Sequence, residues 1–492
     1  MINKINDEIS DFVPILNKEQ EAEIRDLIIK LSKLIIDNAE AKASKSKTKI
    51  IKEEFMRLSA PEFVYNAQGI DIGNIKFDKV FEEHYINENL SPTEIETIAL
   101  NQGGDLLINR IKQIVRESRK EIKYNLNLVI NNAIFSLPIL LASKLINSSE
   151  DRNHVIEVAI SYIIHIINDE PIDSKIILKL ENIFLEKKGI ELNVGKCKYV
   201  LRQTEAKDIE YEEPIGTFAY LQKGILDIIA NPPSAILEIN TPTKLNSMFI
   251  PKDAEKAIHI LRLFKVGGVS YARYSIIRDN IIDFLDSERE PFSFMKEYLG
   301  EKYWINESEI PKFSKFFIAM LKEIPESLGD AFRKFNGENR DYIVFAYDRY
   351  CESLLRSRSN NRKISEVIIG LESLYSDNDP AQVSYKLRIR VAKIMQYLGK
   401  SPIQVFKDIK DAYAERSKFL HGNNSKKLYA TDQLLLSIQD YLRISIVFFV
   451  LSVKNNKSEF IKYLDNAIVD NNSEIELIKK FGIGLVRDIL VE

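Results

Sequence analysis

The stretch IQVFKDIKDAYAERSKFLHG, residues 403–422, decides how the C-terminal half of this 492-residue chain is interpreted. It follows Pro402, a residue type favoured in the first turn of a helix, and Gly422 stands where a left-handed residue commonly ends one. Between them an amphipathic stripe at helical spacing is predicted from Phe406, Ile409, Tyr413, Arg416 and Leu420. Arginine therefore occupies a position that the periodicity assigns to the core. A charge there costs several kcal/mol unless it is paired or faces water.

The segments around this stretch have the same character. Five amphipathic segments follow one another at 342–356, 364–375, 384–398, 403–421 and 428–453, separated by short polar breaks. Short breaks between long helices favour antiparallel neighbours. We therefore predict a C-terminal helical bundle within residues 301–492.

The middle of the chain differs from both ends. Segments 198–202, 235–239 and 269–276 are short and rich in β-branched and aromatic residues, with Pro or Gly nearby. They predict some strand, an α+β region, between about residues 190 and 280, which we assign to a mixed domain at 181–300. Residues 1–180 are predicted to form a helical N-terminal region, with an apolar stripe in 20–38. The polar basic stretch 42–49 is predicted to be an exposed turn or helix face, with a functional patch as the alternative. The fold class is thus mainly α.

Composition excludes several classes of protein. Hydrophobic residues make up 45% of the chain and charged residues 29%, the balance of a soluble globular protein. Two cysteines and five histidines argue against a disulfide framework and a cysteine or histidine metal site. The net charge of −3 leaves only local patches for nucleic acid. The apolar runs 133–142 and 444–451 are shorter than the roughly 20 residues that span a bilayer. We expect a cytoplasmic protein without a membrane segment.

Arg416 and His421 form an Arg-x4-His motif at the end of the predicted helix. In this context the motif, together with ISEVIIGLESLY (364–375), SYKLRIRVA (384–392) and ERSKFLHG (415–422), resembles the signature helices of ApeA-like HEPN domains. The stretch AIHILRLFKVGGV (257–269) is similar to the region that precedes the bundle in those proteins. The resemblance covers roughly residues 255–455. Gly370 stands where the family usually has another small residue such as alanine.

The resemblance implies a HEPN endoribonuclease of prokaryotic anti-phage defence, of the abortive-infection type. In such a reaction the RNA 2′-hydroxyl attacks the adjacent phosphate. His421 is then the general acid or base, and Arg416 stabilises charge on the phosphate. No metal and no cofactor is required. Since the chain holds one Arg-x4-His motif, a two-fold homodimer through the bundle is expected to bring two motifs into one cleft.

Three residues are expected to support this site, each with an alternative. Ser417 either orients the substrate or bonds its own helix. Glu372 either takes part in catalysis or forms a structural salt bridge with an arginine. Tyr413 either stacks on a base or packs in the core.

Lys386, Arg390 and Lys393 share one helix face and are predicted to bind RNA, with an ordinary solvated face as the alternative. The family resemblance alone points to transfer RNA as the substrate. A phage-derived trigger or a regulatory protein is a further expected partner. The resemblance implies that the N-terminal half and the mixed middle region sense a trigger, position the bundle or restrain it. Two other functions stay open: a non-catalytic HEPN module that binds RNA or protein, and the toxin of a toxin–antitoxin pair.

Overall fold

The structure is a computed structural model. It describes residues 15–43, 48–59, 62–66, 69–73, 76–87, 91–118, 124–147, 151–168, 170–205, 208, 212–214, 234–244, 251–278, 302–325, 328, 341–354, 358–377, 382–420, 428–454 and 456–490.

The N-terminal part combines helices with two pairs of strands. In chain order its elements are α1 (Lys18–Ala43), β1 (Thr48–Ser59), β2 (Glu62–Asn66), β3 (Gly69–Gly73), β4 (Lys76–Asn87), α2 (Pro92–Ala99), α3 (Asp105–Ser118), α4 (Tyr124–Asn147) and α5 (Arg152–Asn168). The predicted stripe in 20–38 is confirmed, because Ile24, Ile28 and Leu31 are fully buried. They pack with buried residues of α2 to α5 in one hydrophobic cluster.

The strands between α1 and α2 were not predicted. β1 pairs antiparallel with β4 along its whole length, from Thr48 opposite Asn87 to Ser59 opposite Lys76, and β2 pairs with β3. The prediction of a turn or helix face at 42–49 is therefore wrong from Thr48 onward. Charged residues interrupt the apolar alternation in both strands, so the pairing depends on a partner nearly thirty residues away rather than on a local pattern.

The middle of the chain forms a five-stranded antiparallel sheet in the order β11-β5-β10-β8-β7. The elements are β5 (Pro171–Glu181), β6 (Ile183–Leu185), β7 (Gly189–Val194), β8 (Cys197–Arg202), β9 (Glu212–Pro214), β10 (Ala235–Lys244), α6 (Lys252–Phe264), β11 (Ser270–Arg278) and β12 (Tyr303–Ile305). The three predicted strands are confirmed as β8, β10 and β11. The sheet begins earlier than expected, because β5 supplies its second strand.

A helical bundle follows. Its elements are α7 (Ile310–Glu323), α8 (Tyr342–Ser353), α9 (Asn360–Tyr375), α10 (Val383–Tyr397), α11 (Pro402–Leu420), α12 (Leu428–Phe448), α13 (Lys457–Val469), α14 (Asn471–Lys480) and α15 (Ile483–Leu490). The five predicted helical segments are confirmed as α8 to α12. The fold class, mainly α with some β-sheet, is confirmed too.

The sheet and the bundle share one hydrophobic core. Polar contacts tie them together at the end of α6, where Arg443 of α12 donates to the carbonyl oxygens of Leu263 and Phe264 at 2.7 and 2.9 Å. The Tyr350 hydroxyl of α8 donates to the Arg262 carbonyl at 3.1 Å. These bonds satisfy carbonyls that the last turn of α6 leaves without helical partners. The bundle is therefore fixed against the middle region.

One helix of the bundle is apolar enough to cross a membrane by length and composition. The span Asp432–Val453 has a mean hydropathy of 1.8, and 72% of it is buried inside the fold. The apolar run 444–451 within this span is shorter than a bilayer-spanning segment, as the sequence indicated. Burial of this extent is typical of the central helix of a bundle.

Candidate functional site

Helix α11 carries Arg416, the first residue of the Arg-x4-His motif, near its C-terminal end. Its fully buried line consists of Val405, Ile409 and Ala412, with spacings of four and three residues. Arg416 continues this line, but its side chain keeps 22% of its surface exposed. The predicted stripe is therefore buried at Ile409 and only partly buried at Arg416. The guanidinium lies at the edge of the packed face, where it still contacts water.

Three predicted residues meet around this arginine. Arg416 Nη1 donates a hydrogen bond to Glu372 Oε1 on α9 at 2.7 Å. The hydroxyl of Tyr413, one turn before Arg416, donates to the same carboxylate oxygen. The guanidinium carbon lies 5.6 Å from the centre of the Tyr413 ring. The structural salt bridge foreseen for Glu372 is therefore present, and its partner is the motif arginine itself.

The surroundings of Tyr413 keep its hydroxyl protonated. Burial raises the pKa of Tyr413, and the hydrogen bond to the Glu372 carboxylate raises it further. The Tyr413 side chain is therefore a neutral phenol at physiological pH, and its hydroxyl donates a hydrogen bond to Glu372. A carboxylate that accepts from both a phenol and a guanidinium holds each in one orientation.

The remaining motif residues stand at the end of α11. Ser417 is exposed. His421 directly follows Leu420, the last residue of α11, and lies outside the described residues. Its role stays a prediction from the sequence.

Each of the three cationic side chains predicted to bind RNA lies within ion-pair distance of a carboxylate. Lys393 Nζ lies 3.0 Å from Glu474, and Lys386 Nζ lies 3.7 Å from Asp377. Each positive charge thus has a negative neighbour, which lowers the local positive potential that RNA would meet.

Arg390 departs furthest from the expectation. Only 2% of its side chain is exposed, and it bonds Asp465 through two nitrogens at 2.8 and 2.7 Å. It also donates to Asp377 at 2.6 Å and to the Tyr375 carbonyl at 2.8 Å. Burial opposes its charge, yet these carboxylates raise its pKa overall. The prediction of an RNA contact at Arg390 is corrected: the residue joins α9, α10 and α13 from within the bundle.

Arg388 lies on the same helix and was not among the predicted site residues. Its guanidinium is 5.6 Å from the ring centre of Tyr385 and 5.1 Å from that of Phe406. Tyr385 and Arg388 are three residues apart on a helix, and this spacing predicts that their side chains contact each other. The contact of Arg388 with Phe406 on α11 could not be predicted from the sequence.

Within the parts of the chain that the structure describes, no group of three or more His, Cys, Asp or Glu side chains could hold a metal ion. Comparison of the chain with protein-family models, with curated proteins and with solved structures finds no match.

Proposed function

We propose that this chain is a metal-independent HEPN endoribonuclease that acts in the cytoplasm in abortive-infection defence against phage. The observation that supports the proposal best is the position of Arg416. It stands at the water-contacting end of a bundle helix, five residues before His421 in the sequence, with its orientation fixed by Glu372 and Tyr413.

The chemistry follows from the residue types. A guanidinium has five N–H donors, and the bond to Glu372 is made through one terminal nitrogen. Donors therefore remain to meet two oxygens of a phosphate as negative charge develops on it. His421 transfers protons to or from the reacting oxygens. The RNA 2′-hydroxyl displaces the 5′-oxygen of the next nucleotide, which leaves a 2′,3′-cyclic phosphate and a 5′-hydroxyl end.

Glu372 acts here as a positioning residue. It does not contact the phosphate, since two negative groups repel each other, but it holds the guanidinium and the Tyr413 hydroxyl on either side of one oxygen. A second copy of the chain completes the site, because one motif supplies a single histidine and a single arginine. The RNA, with transfer RNA as the first candidate, lies between the two motifs.

The test is cleavage of cellular RNA by purified protein and by cells during phage challenge, with EDTA present in the purified reaction. We expect Arg416→Ala and His421→Ala each to abolish cleavage, and wild-type products to carry cyclic phosphate ends. Arg349→Ala is the matched control, because Arg349 forms an equivalent 2.7 Å pair with Glu366 on α9. His154→Ala, at an exposed position on α5, is the control for loss of a histidine.

The alternative function is a non-catalytic HEPN module that binds RNA or protein. The ion pair of Arg416 with Glu372 fits this function as well, because it neutralises the motif arginine. Wild-type protein that is toxic to cells without cleaving RNA, before or during phage challenge, would favour the module over the enzyme. Neutralisation of that toxicity by the product of a neighbouring gene would favour the toxin of a toxin–antitoxin pair.

A further inference from the structure

Helix α10 carries four cations in its middle, and one of them differs from the others. Lys386, Arg390 and Lys393 each lie within ion-pair distance of a carboxylate. Arg388 has no carboxylate within that distance among the residues that the structure describes. Its Nε donates instead to the Ser384 carbonyl at 3.0 Å. Among the described residues, the positive charge of α10 that no carboxylate pairs with is therefore that of Arg388.

Two aromatic rings flank this charge. The Tyr385 ring and the Phe406 ring pack edge to face with their centres 6.4 Å apart, and the Arg388 guanidinium lies over both. Half of the Tyr385 surface is exposed. We call these three side chains the α10–α11 aromatic platform. A partly exposed ring beside an uncompensated guanidinium is the combination on which unpaired nucleobases stack.

An open hollow of about 340 Å³ adjoins the platform. Its lining is mostly apolar, with Phe406, Ile389, Ile403 and Ile468, and it includes the side chains of Lys393 and Gln396. Ile403 is 83% exposed, so this apolar surface is left to solvent. A hollow of this size lies at the small end of ligand sites, and its walls suit a flat, weakly polar ring.

The platform and the motif arginine share helix α11. Phe406 and Tyr413 are seven residues apart on α11 and share a face, and Arg416 follows one turn later. At a rise of about 1.5 Å per residue, Phe406 and Arg416 are about 15 Å apart along the helix. A few nucleotides of single-stranded RNA cover that distance.

From these contacts we propose that the α10–α11 aromatic platform binds unpaired bases of single-stranded RNA beside the cleavage position. The inference rests on the proposed ribonuclease function and names its substrate class: RNA that is single-stranded around the scissile bond. The uncompensated charge of Arg388 favours a polyanion over an apolar protein surface, and stacking on rings is tolerant of base sequence.

Binding of a fluorescein-labelled 2′-O-methyl oligouridine to the full-length protein tests the proposal. This probe lacks the attacking hydroxyl, so binding is measured apart from cleavage. We expect Arg388→Ala and Tyr385→Ala each to weaken binding about tenfold. Tyr385→Phe keeps the ring and should bind within twofold of wild type. Annealing the probe to its complement should weaken its binding to wild type.

Lys480→Ala is the matched control, because Lys480 also lies over a ring, that of Tyr463 at 4.4 Å, but is paired with Glu459. It should bind as wild type does. Thermal unfolding and sedimentation of each variant show whether the fold and the oligomeric state persist.

Unchanged affinity of Arg388→Ala and Tyr385→Ala would overturn the platform, as would a wild type that does not bind the probe. Dissociation of a dimer by Tyr385→Ala, with no other loss of affinity, would assign the platform to a protein interface instead. None of these results would contradict the proposed function, which is tested by the dependence of RNA cleavage on Arg416 and His421.

Discussion

Arg416 Nη1 and Glu372 Oε1 are 2.7 Å apart, although the two residues are 44 positions apart in the sequence. The bond joins the end of α11 to the last turn of α9, and both side chains are more than one fifth exposed. It has two consequences. It holds the Arg416 guanidinium in one orientation, and it gives that arginine a stabilising role separable from its proposed chemical one.

The first prediction concerns the strength of this pair. A double-mutant cycle of Glu372→Ala and Arg416→Ala should give a coupling energy of about 1 kcal/mol, because water screens a partly exposed pair. Urea unfolding of the four proteins measures it. The Arg349–Glu366 cycle is the comparison, and its less exposed carboxylate should give at least as large a coupling. A coupling of zero would contradict an orienting role for Glu372.

The second prediction concerns the buried Arg390. Arg390→Met should lower the free energy of unfolding by about 3 kcal/mol, because it leaves Asp377, Asp465 and a backbone carbonyl without their donor. Arg388→Met, two residues away, should cost less than about 1 kcal/mol, because the half-buried Arg388 forms no ion pair among the described residues. Equal losses in urea unfolding would mean that the buried cluster contributes no more than the half-buried Arg388 does.

The third prediction concerns Gly370, which stands where the resembled family usually has another small residue. A Cβ built there would lie 2.8 Å from Leu442 Cδ2 and 3.2 Å from Arg349 Cβ. Leu442 is fully buried, so it has little room to turn away. Gly370→Ala should therefore destabilise the fold by about 1 kcal/mol, the overpacking exceeding the gain in helix propensity.

The control for Gly370 is Gly484→Ala in α15, where a Cβ would meet nothing within 4 Å. That change should raise the melting temperature slightly. A second substitution, Leu442→Val, should restore part of the stability lost by Gly370→Ala. A Gly370→Ala protein that melts above wild type would show that α9 and α12 can separate without cost.

The fourth prediction concerns pH. His259 is buried on α6, with Nδ1 2.6 Å from the Tyr347 hydroxyl. Burial lowers its pKa, and the nearby Arg262 acts in the same direction against Glu255 and Asp348. Below its ordinary pKa, the His259 side chain therefore binds a proton in the unfolded chain more readily than in the folded chain. The contribution of His259 to the free energy of unfolding should be fully present above the unfolded pKa of about 6.5. As the pH falls below that value, the free energy of unfolding should fall by at most about 1.4 kcal/mol per pH unit.

Urea unfolding between pH 7.5 and 5.0 checks this dependence. His259→Gln removes the titrating group, so its free energy of unfolding should fall less steeply than that of wild type across this range. Parallel curves for the two proteins would assign the pH dependence to other groups.

Local patterns account for much of the fold. The five helices α8 to α12 follow from apolar spacing that each segment carries within itself, and Pro402 marks the start of α11. Strands β8, β10 and β11 follow from short β-prone runs. Strands β1 and β4 do not, because their register joins residues that no local window contains together.

The helical bundle, the short strands of the middle region and the candidate residues Arg416 and His421 could be predicted from the sequence, because periodicity and residue chemistry are local properties. Which charges meet depends on the tertiary structure. The fold buries Arg390 against Asp377 and Asp465, pairs Arg416 with Glu372, and packs Arg388 against two rings. A cation's role depends on which carboxylates approach it, and the fold brings those from distant helices.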